Sequence, residues 1–145
     1  MPVDVSVIAP LLNEEKNVYE LYNRIKATLS RLSCTYEIIL IDDGSKDNTL
    51  YAVEKLASED PFVKYISFSR NFGHQLAFFA GLERCTGSQV ILIDGDLQDP
   101  PEVIEPLWQK SREGYDVVYA KRKTRKGESF GKKITAKLFY RILNR

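Results

Sequence analysis

Short apolar runs alternate with longer amphipathic stretches along this chain. Five of the runs are rich in Val, Ile, Leu and Tyr and have the length typical of buried strands. The predicted strands are 5–9, 36–41, 63–68, 90–93 and 115–119.

The stretches between these runs show helical spacing. In the first, apolar residues recur every three or four positions, and Asn13 is a plausible N-cap. Two further helices are predicted over 48–58 and 73–85, and a fourth over 101–114, where Pro106 should kink or restart it. In the third helix, the residues expected to face inward are Leu76, Phe79, Ala80 and Leu82.

Strands that alternate with helices predict a doubly wound α/β fold, in which a mostly parallel sheet carries helices on both faces. Ligands of such sheets bind beyond the carboxyl ends of the strands. The segments after the predicted strands are therefore the places to look for chemistry, and they hold nearly all the unusual polar residues. They are 10–15, 42–47, 70–74, 94–101 and 121–126.

Charge is distributed unevenly along the 145 residues. The formal net charge is +1, but residues 1–120 carry −8 and residues 121–145 carry +9. An acidic body suits a metal-dependent site, and a basic tail suits a surface of phosphates, either nucleic acid or an anionic membrane face. A solvated charged helix is the alternative for the tail. We therefore divide the chain into a core, 1–120, and a basic segment, 121–145.

Composition narrows the class of protein further. With 43% hydrophobic and 28% charged residues, the chain is typical of one soluble globular domain. It contains no long apolar run typical of a membrane span, and its first residues lack the layout of a secretory signal. Cys34 and Cys85 form no C-x-x-C motif, so neither a zinc site nor a disulfide framework is predicted.

The turn after the first strand excludes two familiar phosphate-binding motifs. It reads Pro-Leu-Leu-Asn-Glu-Glu from Pro10 rather than G-x-G-x-x-G, and the chain has no G-x-x-x-x-G-K-[ST]. Glu14 and Glu15 at the start of the predicted helix would repel a phosphate bound to its backbone amides. A bound diphosphate would need positive charge from elsewhere.

The stretch LIDGDLQDPPE, residues 92–102, places Asp94 and Asp96 directly after an apolar run. Two positions apart in extended backbone, their side chains lean to the same side, with Cα atoms about 7 Å apart. One cation can lie between them, and Mg²⁺ or Mn²⁺ fits because such hard ions bind one or two carboxylates together with substrate phosphates. Gly95 would let the backbone come close. A solvated acidic turn is the alternative.

A second acidic pair, Asp42 and Asp43, ends another predicted strand. Ser45 or Asp47 is expected to cap the helix that follows. One carboxylate of the pair is a candidate acceptor for a ring N–H of uracil or guanine, with ribose hydroxyls within reach of Glu14. Two turn residues and a cap are the alternative.

Four ordered stretches of the chain together resemble the family 2 glycosyltransferases, in the branch that transfers sugars to polyprenyl phosphates. They are VSVIAPLLNEE, YEIILIDDGSKDNT, FSRNFGHQLAFFAGL and LIDGDLQDPPE. The resemblance covers essentially the whole chain, and residues 115–133 look closest to the bactoprenol glucosyltransferase type. It implies the GT-A, Rossmann-like fold of nucleotide-diphospho-sugar transferases.

The resemblance also implies residues that bind the donor nucleotide. Pro10, Leu12 and Glu14 match the family's nucleotide-contacting first loop, although Leu12 stands where a tyrosine is often found. Asp42 and Asp43 match the pair that reads the base, and Asp43 is favoured for the ring contact.

The D-x-D pair receives a role from the same resemblance. Asp94 and Asp96 match the carboxylates that hold the metal, Mg²⁺ or Mn²⁺, and the donor diphosphate, with Gln98 near the donor. Arg122 matches a basic position linked to the acceptor phosphate, so the catalytic residues implied are Asp96, Asp94 and Arg122. His74, the single histidine, belongs with Arg70 and Asn71 to a signature without an assigned role, and we interpret it as a structural or capping residue.

The basic segment is expected to contact the acceptor side. Its apolar residues recur every four positions and predict a basic amphipathic helix, which suits a membrane interface or packing on its own domain. This stripe is formed by Phe130, Ile134, Leu138 and Ile142.

The implied function is inverting, metal-dependent transfer of glucose from UDP-glucose to a polyprenyl phosphate such as undecaprenyl phosphate, for cell-envelope or O-antigen glycosylation. The expected location is the cytoplasmic face of the cell membrane, without nucleic acid as a partner. Family members continue beyond the length of this chain, so we expect it to end within the catalytic domain. A non-catalytic nucleotide- or nucleic-acid-binding module with a basic tail is the alternative.

Overall fold

The apolar runs of the sequence form a parallel β-sheet. The computed structural model describes residues 2–121. Within them, the strands lie in the order β3-β2-β1-β4, and every pairing is parallel. The first four predicted strands are confirmed to within three residues at each end. Their bounds are β1 Val3–Leu11, β2 Tyr36–Asp42, β3 Val63–Ser67 and β4 Gly87–Leu92.

Helices cover both faces of this sheet, as predicted for a doubly wound fold. Residues of α1, α2 and α4 pack on one face, and α3 packs on the other. The predicted restart near Pro106 is also found, because a 3-10 turn leads into α4 and Pro106 lies in its first turn, where a missing N–H costs no helical hydrogen bond. The bounds are α1 Val18–Leu29, α2 Thr49–Glu59, α3 His74–Arg84, the 3-10 turn Pro101–Val103 and α4 Ile104–Ser111.

The central strand β1 is apolar on both sides because both of its faces are covered. Val5, Val7 and Ala9 belong to the larger core beneath α1 and α2, whereas Ile8 points to the α3 side. This burial explains why β1 and β2 have almost continuous apolar sequences. Because the two strands pair in parallel, their carboxyl ends lie at one edge of the sheet.

The prediction of the inward face of α3 was wrong. Leu76, Phe79 and Leu82 are 55%, 61% and 41% exposed, while Ala77 and Gly81 are the buried residues of this helix. The helix is apolar on several sides, and the sheet selects the side with the smallest residues because it allows the closest approach to strands lined with isoleucine.

Two local predictions were also wrong. Asn13 does not cap α1, because the helix begins at Val18 and the Asn13 amide oxygen accepts the N–H of Lys46 instead. Residues 115–119 form no strand within the described part of the chain, where Val117 and Tyr119 are exposed. Alternating polarity produces a strand only when a neighbour pairs with it, and β4 pairs with β1 alone in residues 2–121.

None of the helices described in residues 2–121 is both long enough and apolar enough to cross a membrane. Cys34 and Cys85 are free thiols.

Candidate active site

A cleft of about 240 Å³ lies at the carboxyl ends of β1, β2 and β4. All four loops that follow the described strands contribute to it, as the topology of a parallel sheet requires. A larger groove of about 790 Å³ runs along β4 and α4 and shares Asp94 with the cleft, but its lining is mainly apolar. The polar residues of the cleft are Glu14, Asp43, Asn71, His74, Asp94 and Asp96, with Pro10, Leu11, Leu12, Gly73 and Gly95 completing the wall.

The loops after β1 and β2 are hydrogen-bonded to each other. Three successive backbone N–H groups of the first loop each donate to a side chain of the second loop or of the first residue of α2, at 2.8 to 3.1 Å. The second loop donates in return, from Lys46 to the Asn13 amide oxygen at 2.8 Å. The three pairs are Asn13 with Ser45, Glu14 with Thr49, and Glu15 with Asp47.

Asp47 is the residue that supports the start of α2. Its Oδ1 accepts the backbone N–H of Thr49 at 3.0 Å, whereas Ser45 is occupied by Asn13. Burial raises the pKa of Asp47, but hydrogen bonds from Thr49 and Glu15 outweigh it and hold the pKa below its ordinary value. The N-cap position of α2 is Asn48, whose side chain makes no capping hydrogen bond, so the prediction that Ser45 or Asp47 caps this helix was wrong. Asp47 instead supports the first turn from the position before the N-cap.

Gly44 permits the loop after β2 to touch the loop after β3. Its φ is +70°, and a Cβ atom there would lie 2.6 Å from the Arg70 Cα and from the Asn71 nitrogen. A side chain at Gly44 would therefore be strained by its own backbone and would push the neighbouring loop away.

Asp43 ties these two loops together from inside the protein. It is 3% exposed, its Oδ1 accepts the N–H of Phe72 at 2.8 Å, and its Oδ2 accepts the N–H of Gly73 at 3.0 Å. Asp42 is also buried, but it does not line the cleft, and its contact is the Ser45 N–H at 3.3 Å. The structure therefore brings Asp43, and not Asp42, to the cleft.

The D-x-D pair, Asp94 and Asp96, also lines the cleft. Asp94 is half-buried and Asp96 is exposed. The Oδ1 atom of Asp96 accepts the Gln98 N–H at 3.0 Å. A Cβ atom at Gly95 would lie 2.5 Å from the Pro10 carbonyl oxygen, which confirms that Gly95 allows a close backbone approach. Leu97 follows with φ +59°, a left-handed conformation that costs roughly 1–2 kcal/mol in an L-residue.

His74 contacts this pair directly. Its Nε2 lies 3.1 Å from Asp94 Oδ1, and its ring packs edge-on against Phe78 with centroids 4.5 Å apart. The sequence pattern alone indicates only a structural or capping role for His74. Its position in a segment following a strand of a parallel sheet was the signal that it would reach the cleft.

The cleft could hold a divalent cation only with help from a ligand. Within residues 2–121, no group of three or more His, Cys, Asp and Glu side chains could hold a metal ion. Asp94 and Asp96 nevertheless both line the cleft, and two carboxylates completed by substrate phosphates suit Mg²⁺ or Mn²⁺. Gln98 lies outside the lining, and Arg122 lies outside the described residues, as do the members of the amphipathic stripe.

The sequence of the chain also matches a known protein family. Residues 6–145 match the model for glycosyl transferase family 2. The chain belongs to this family. Its fold is the GT-A, Rossmann-like fold expected from the resemblance.

Curated relatives of this family member are similar over nearly all of its length. It is 46% identical over 142 residues to the uncharacterized glycosyltransferase YkcC of Bacillus subtilis, covering 98% of this chain and 44% of that protein. It is 43% identical over 141 residues to the bactoprenol glucosyl transferase of Shigella phage SfX, covering 97% of this chain and 46% of that protein. The chain thus spans less than half the length of these relatives.

A solved structure of a related protein shares the fold. The crystal structure of S. aureus TarS residues 1–349, in complex with UDP-GlcNAc, aligns with a TM-score of 0.66 and 28% identity. The alignment covers 87% of this chain and 36% of that chain.

Proposed function

We propose that this chain carries the donor-binding part of an inverting, metal-dependent glycosyltransferase. The reaction is transfer of glucose from UDP-glucose to a polyprenyl phosphate such as undecaprenyl phosphate, for glycosylation of the cell envelope or O-antigen. The main support is that Asp43, Asp94 and Asp96 all line one cleft. The similarity to a bactoprenol glucosyl transferase supports the acceptor, and the UDP-GlcNAc complex of TarS supports a uridine nucleotide.

The donor nucleoside would bind between the first loop and the carboxyl end of β2. Asp43 accepts two backbone N–H groups, but each carboxylate oxygen has a second lone pair that can accept a ring N–H of the base. Glu14 lines the same cleft and suits the ribose hydroxyls, while Pro10 and Leu12 provide apolar contact beside the ring. Asp42 would act indirectly, by shaping the turn that presents Asp43, and Gln98 would lie near the diphosphate.

Asp94 and Asp96 would hold Mg²⁺ or Mn²⁺ together with the donor diphosphate. Bound there, the ion would offset the negative charge that develops on the leaving nucleoside diphosphate. The cleft needs this charge because its described polar lining contains four carboxylates and no lysine or arginine. Asp96 is the more exposed of the pair and is the better placed to meet an incoming ion.

The acceptor phosphate would attack the anomeric carbon from the face opposite the diphosphate, which inverts its configuration. A bond forms from the phosphate oxygen to this carbon while the bond from the carbon to the diphosphate oxygen breaks. A phosphate monoester has a second pKa near 6, so the attacking oxygen is already ionised and a strong general base is not required. Arg122 would hold the acceptor phosphate close to the donor.

Nucleotide titration tests the central part of this proposal. We expect Mn²⁺ to strengthen binding of UDP to the wild-type chain. Asp96→Asn should reduce that gain at least about 10-fold, because losing a metal ligand should weaken metal affinity at least as much as losing a group that orients one. The matched control is Asp116→Asn, an exposed carboxylate outside the cleft, which should keep the full gain. Equal UDP affinity with Mn²⁺ and with EDTA in the wild type would refute the metal assignment.

Donor choice is tested by thermal shift. Binding raises the melting temperature according to ligand concentration over Kd, so UDP-glucose, UDP-GlcNAc and GDP-mannose can be ranked at one concentration with and without Mn²⁺. The proposal expects UDP-glucose with Mn²⁺ to give the largest shift. A larger shift with GDP-mannose would identify a different donor.

Membrane association at the cytoplasmic face is the remaining part of the proposal. Residues 128–145 combine an apolar stripe with basic flanks, which suits an anionic lipid surface. Flotation with anionic vesicles should recover the 145-residue chain but not a chain that lacks these residues. Equal recovery of the two would remove the segment from the membrane contact.

A further inference from the structure

We propose that His74 is a positioning residue that orients Asp94 in the cleft. This inference rests on the proposed function, because it concerns the carboxylate assigned to the metal and diphosphate. It gives a role to the Arg70–His74 stretch, which the donor and acceptor assignments leave without one.

The contact engages one oxygen of Asp94. His74 Nε2 lies 3.1 Å from Asp94 Oδ1, so an Nε2–H group is within reach of that oxygen. Asp94 is only half-buried, and no other side-chain partner is found for it among the described contacts. Without the imidazole, the carboxylate would be free to rotate about its terminal bond, which has a broad torsional preference.

The imidazole itself is held from two directions. On its own helix, Phe78 packs against the ring at 4.5 Å between centroids, four residues along and therefore on the same side of α3. On the other side, the preceding backbone is fixed by Asp43, which accepts the N–H groups of Phe72 and Gly73. His74 thus follows a segment that cannot shift without breaking two hydrogen bonds to the buried Asp43 carboxylate.

These contacts form a continuous path between two carboxylates of the cleft. It runs from Asp43 through the backbone of residues 72–73 to His74, and from there to Asp94. Gly44 strengthens the path because it lets the loop after β2 lie against Arg70 and Asn71. A rigid path of this kind keeps the Asp94 oxygens in one orientation before the ligand arrives, which lowers the cost of ordering them on binding.

Removing a group that orients a metal-binding carboxylate typically weakens metal affinity about 10- to 100-fold. The effect predicted for His74 is therefore a loss of Mn²⁺-dependent UDP binding. UDP binding in EDTA should not change, because it does not depend on the orientation of Asp94.

The test compares four variants of the full 145-residue chain. His74→Gln places an amide nitrogen at the position of Nε2, and His74→Asn places one only as far as Nδ1. His74→Phe keeps the ring packing on Phe78 but has no donor. Gln75→Ala, on the next and exposed residue of α3, is the matched control. Each is titrated with UDP in Mn²⁺ and in EDTA, and each is melted to verify folding.

The expected result separates the effect of a nitrogen at the Nε2 position from the effect of side-chain volume. His74→Gln and Gln75→Ala should keep the Mn²⁺-dependent gain within about 3-fold, while His74→Phe and His74→Asn should lose about 10-fold of it. If His74→Phe fails to fold, the contrast between Gln and Asn carries the test. Retention of the gain in His74→Asn, or equal loss in His74→Gln, would overturn the inference. If UDP binding to the wild type shows no Mn²⁺-dependent gain, the proposed metal site is refuted, and the role of His74, which rests on that site, is refuted with it.

A second measurement needs no metal. The chain contains one histidine, so its ring ¹⁵N signals in NMR belong to His74 without further assignment. Asp94→Asn should shift the Nε2 signal, whereas the control Asp116→Asn should leave it in place. An Nε2 signal that does not respond to Asp94→Asn would contradict the contact.

Discussion

Asp43 holds the backbone N–H of Gly73 at 3.0 Å, 30 residues away along the chain. Its other carboxylate oxygen accepts the N–H of Phe72. The residue that faces the cleft from β2 is therefore also the support of the loop that leads into α3. The carboxylate that we propose as the contact of the base thus also stabilises the fold.

Asp43→Asn should destabilise the protein although the side chain keeps its size. The amide has one acceptor oxygen in place of two, so one part-buried N–H loses its protein partner, at a cost of about 1 kcal/mol. Urea unfolding measures this as a fall in the free energy of unfolding. Asp116→Asn, on an exposed residue, should stay within about 0.5 kcal/mol of wild type. Equal stability of both variants would show that the two hydrogen bonds contribute nothing.

Gly44→Ala and Gly114→Ala separate backbone strain from loop contact. Both glycines have positive φ, +70° and +95°, but a Cβ atom meets the Arg70 backbone only at Gly44, and it meets nothing within 4 Å at Gly114. We expect Gly114→Ala to lower the free energy of unfolding by roughly 1–2 kcal/mol. Gly44→Ala should lower it by at least about 3 kcal/mol, in the range typical of a severe steric conflict.

The pair of variants also tests the site. Gly44→Ala should weaken UDP binding because the displaced loop carries Asn71 and leads to His74, whereas Gly114→Ala should bind normally. Similar losses in the two variants, in stability or in binding, would contradict the close packing of the loops.

The acid stability of the protein should depend on Glu37, at the amino end of the sheet and far from the cleft. Burial raises the pKa of Glu37, but the ion pair with Lys64 and hydrogen bonds from Ser6 and Thr86 outweigh it and lower the pKa to about 2. A lowered pKa in the folded state stabilises the protein above the unfolded-state value, near 4.5, and this contribution disappears as the pH falls towards 2.

Glu37→Gln should therefore be less stable than wild type at pH 7, by about 2 kcal/mol, with the gap closing between pH 4.5 and pH 2. Unfolding by urea at a series of pH values measures the gap. Glu83→Gln, on an exposed helix position, provides a control whose gap should stay small throughout. A gap for Glu37→Gln that persists at pH 2 would show that the ion pair is not its cause.

Substitutions on α3 should follow the observed burial of its residues rather than their hydrophobicity. Leu76→Gln and Phe79→Gln replace exposed side chains and should change the free energy of unfolding by no more than about 0.5 kcal/mol. Ala77→Leu adds atoms where the helix meets Ile8 and Ile39, and it should cost about 1–3 kcal/mol. A larger loss in Phe79→Gln than in Ala77→Leu would reverse the assignment of the faces.

The architecture could be predicted from the sequence because both faces of β1 and β2 are buried. Such strands are almost continuously apolar, and the amphipathic stretches between them identify helical connections. Ligands bind at the carboxyl ends of parallel strands, so the order of strands and helices in the sequence also predicts where the cleft lies. The assignments of Asp94 and Asp96 as metal ligands stay predictions, although both residues lie where the prediction placed them.

What could not be predicted depends on partners distant in the sequence. The 115–119 stretch has the alternation of a strand, but pairing decides whether a strand forms. The buried side of α3 could not be predicted because large apolar residues lie on several sides of the helix. The side that carries Ala77 packs on the sheet because its small residues allow the closest approach. The contact of His74 with Asp94 joins two loops across the sheet, and no local pattern indicates it.

The hydrogen bonds between the loops after β1 and β2 have a consequence for protein engineering. The conformation of each loop depends on the other loop. The hydrogen bonds that join them link Asn13 to Ser45 and Lys46, and Glu14 to Thr49. Residues that share a hydrogen-bond network have coupled effects on stability. A chimaera that takes only one of these loops from a relative would therefore lose hydrogen bonds between the two loops. A graft intended to change sugar selectivity must transfer segments 12–15 and 45–49 together.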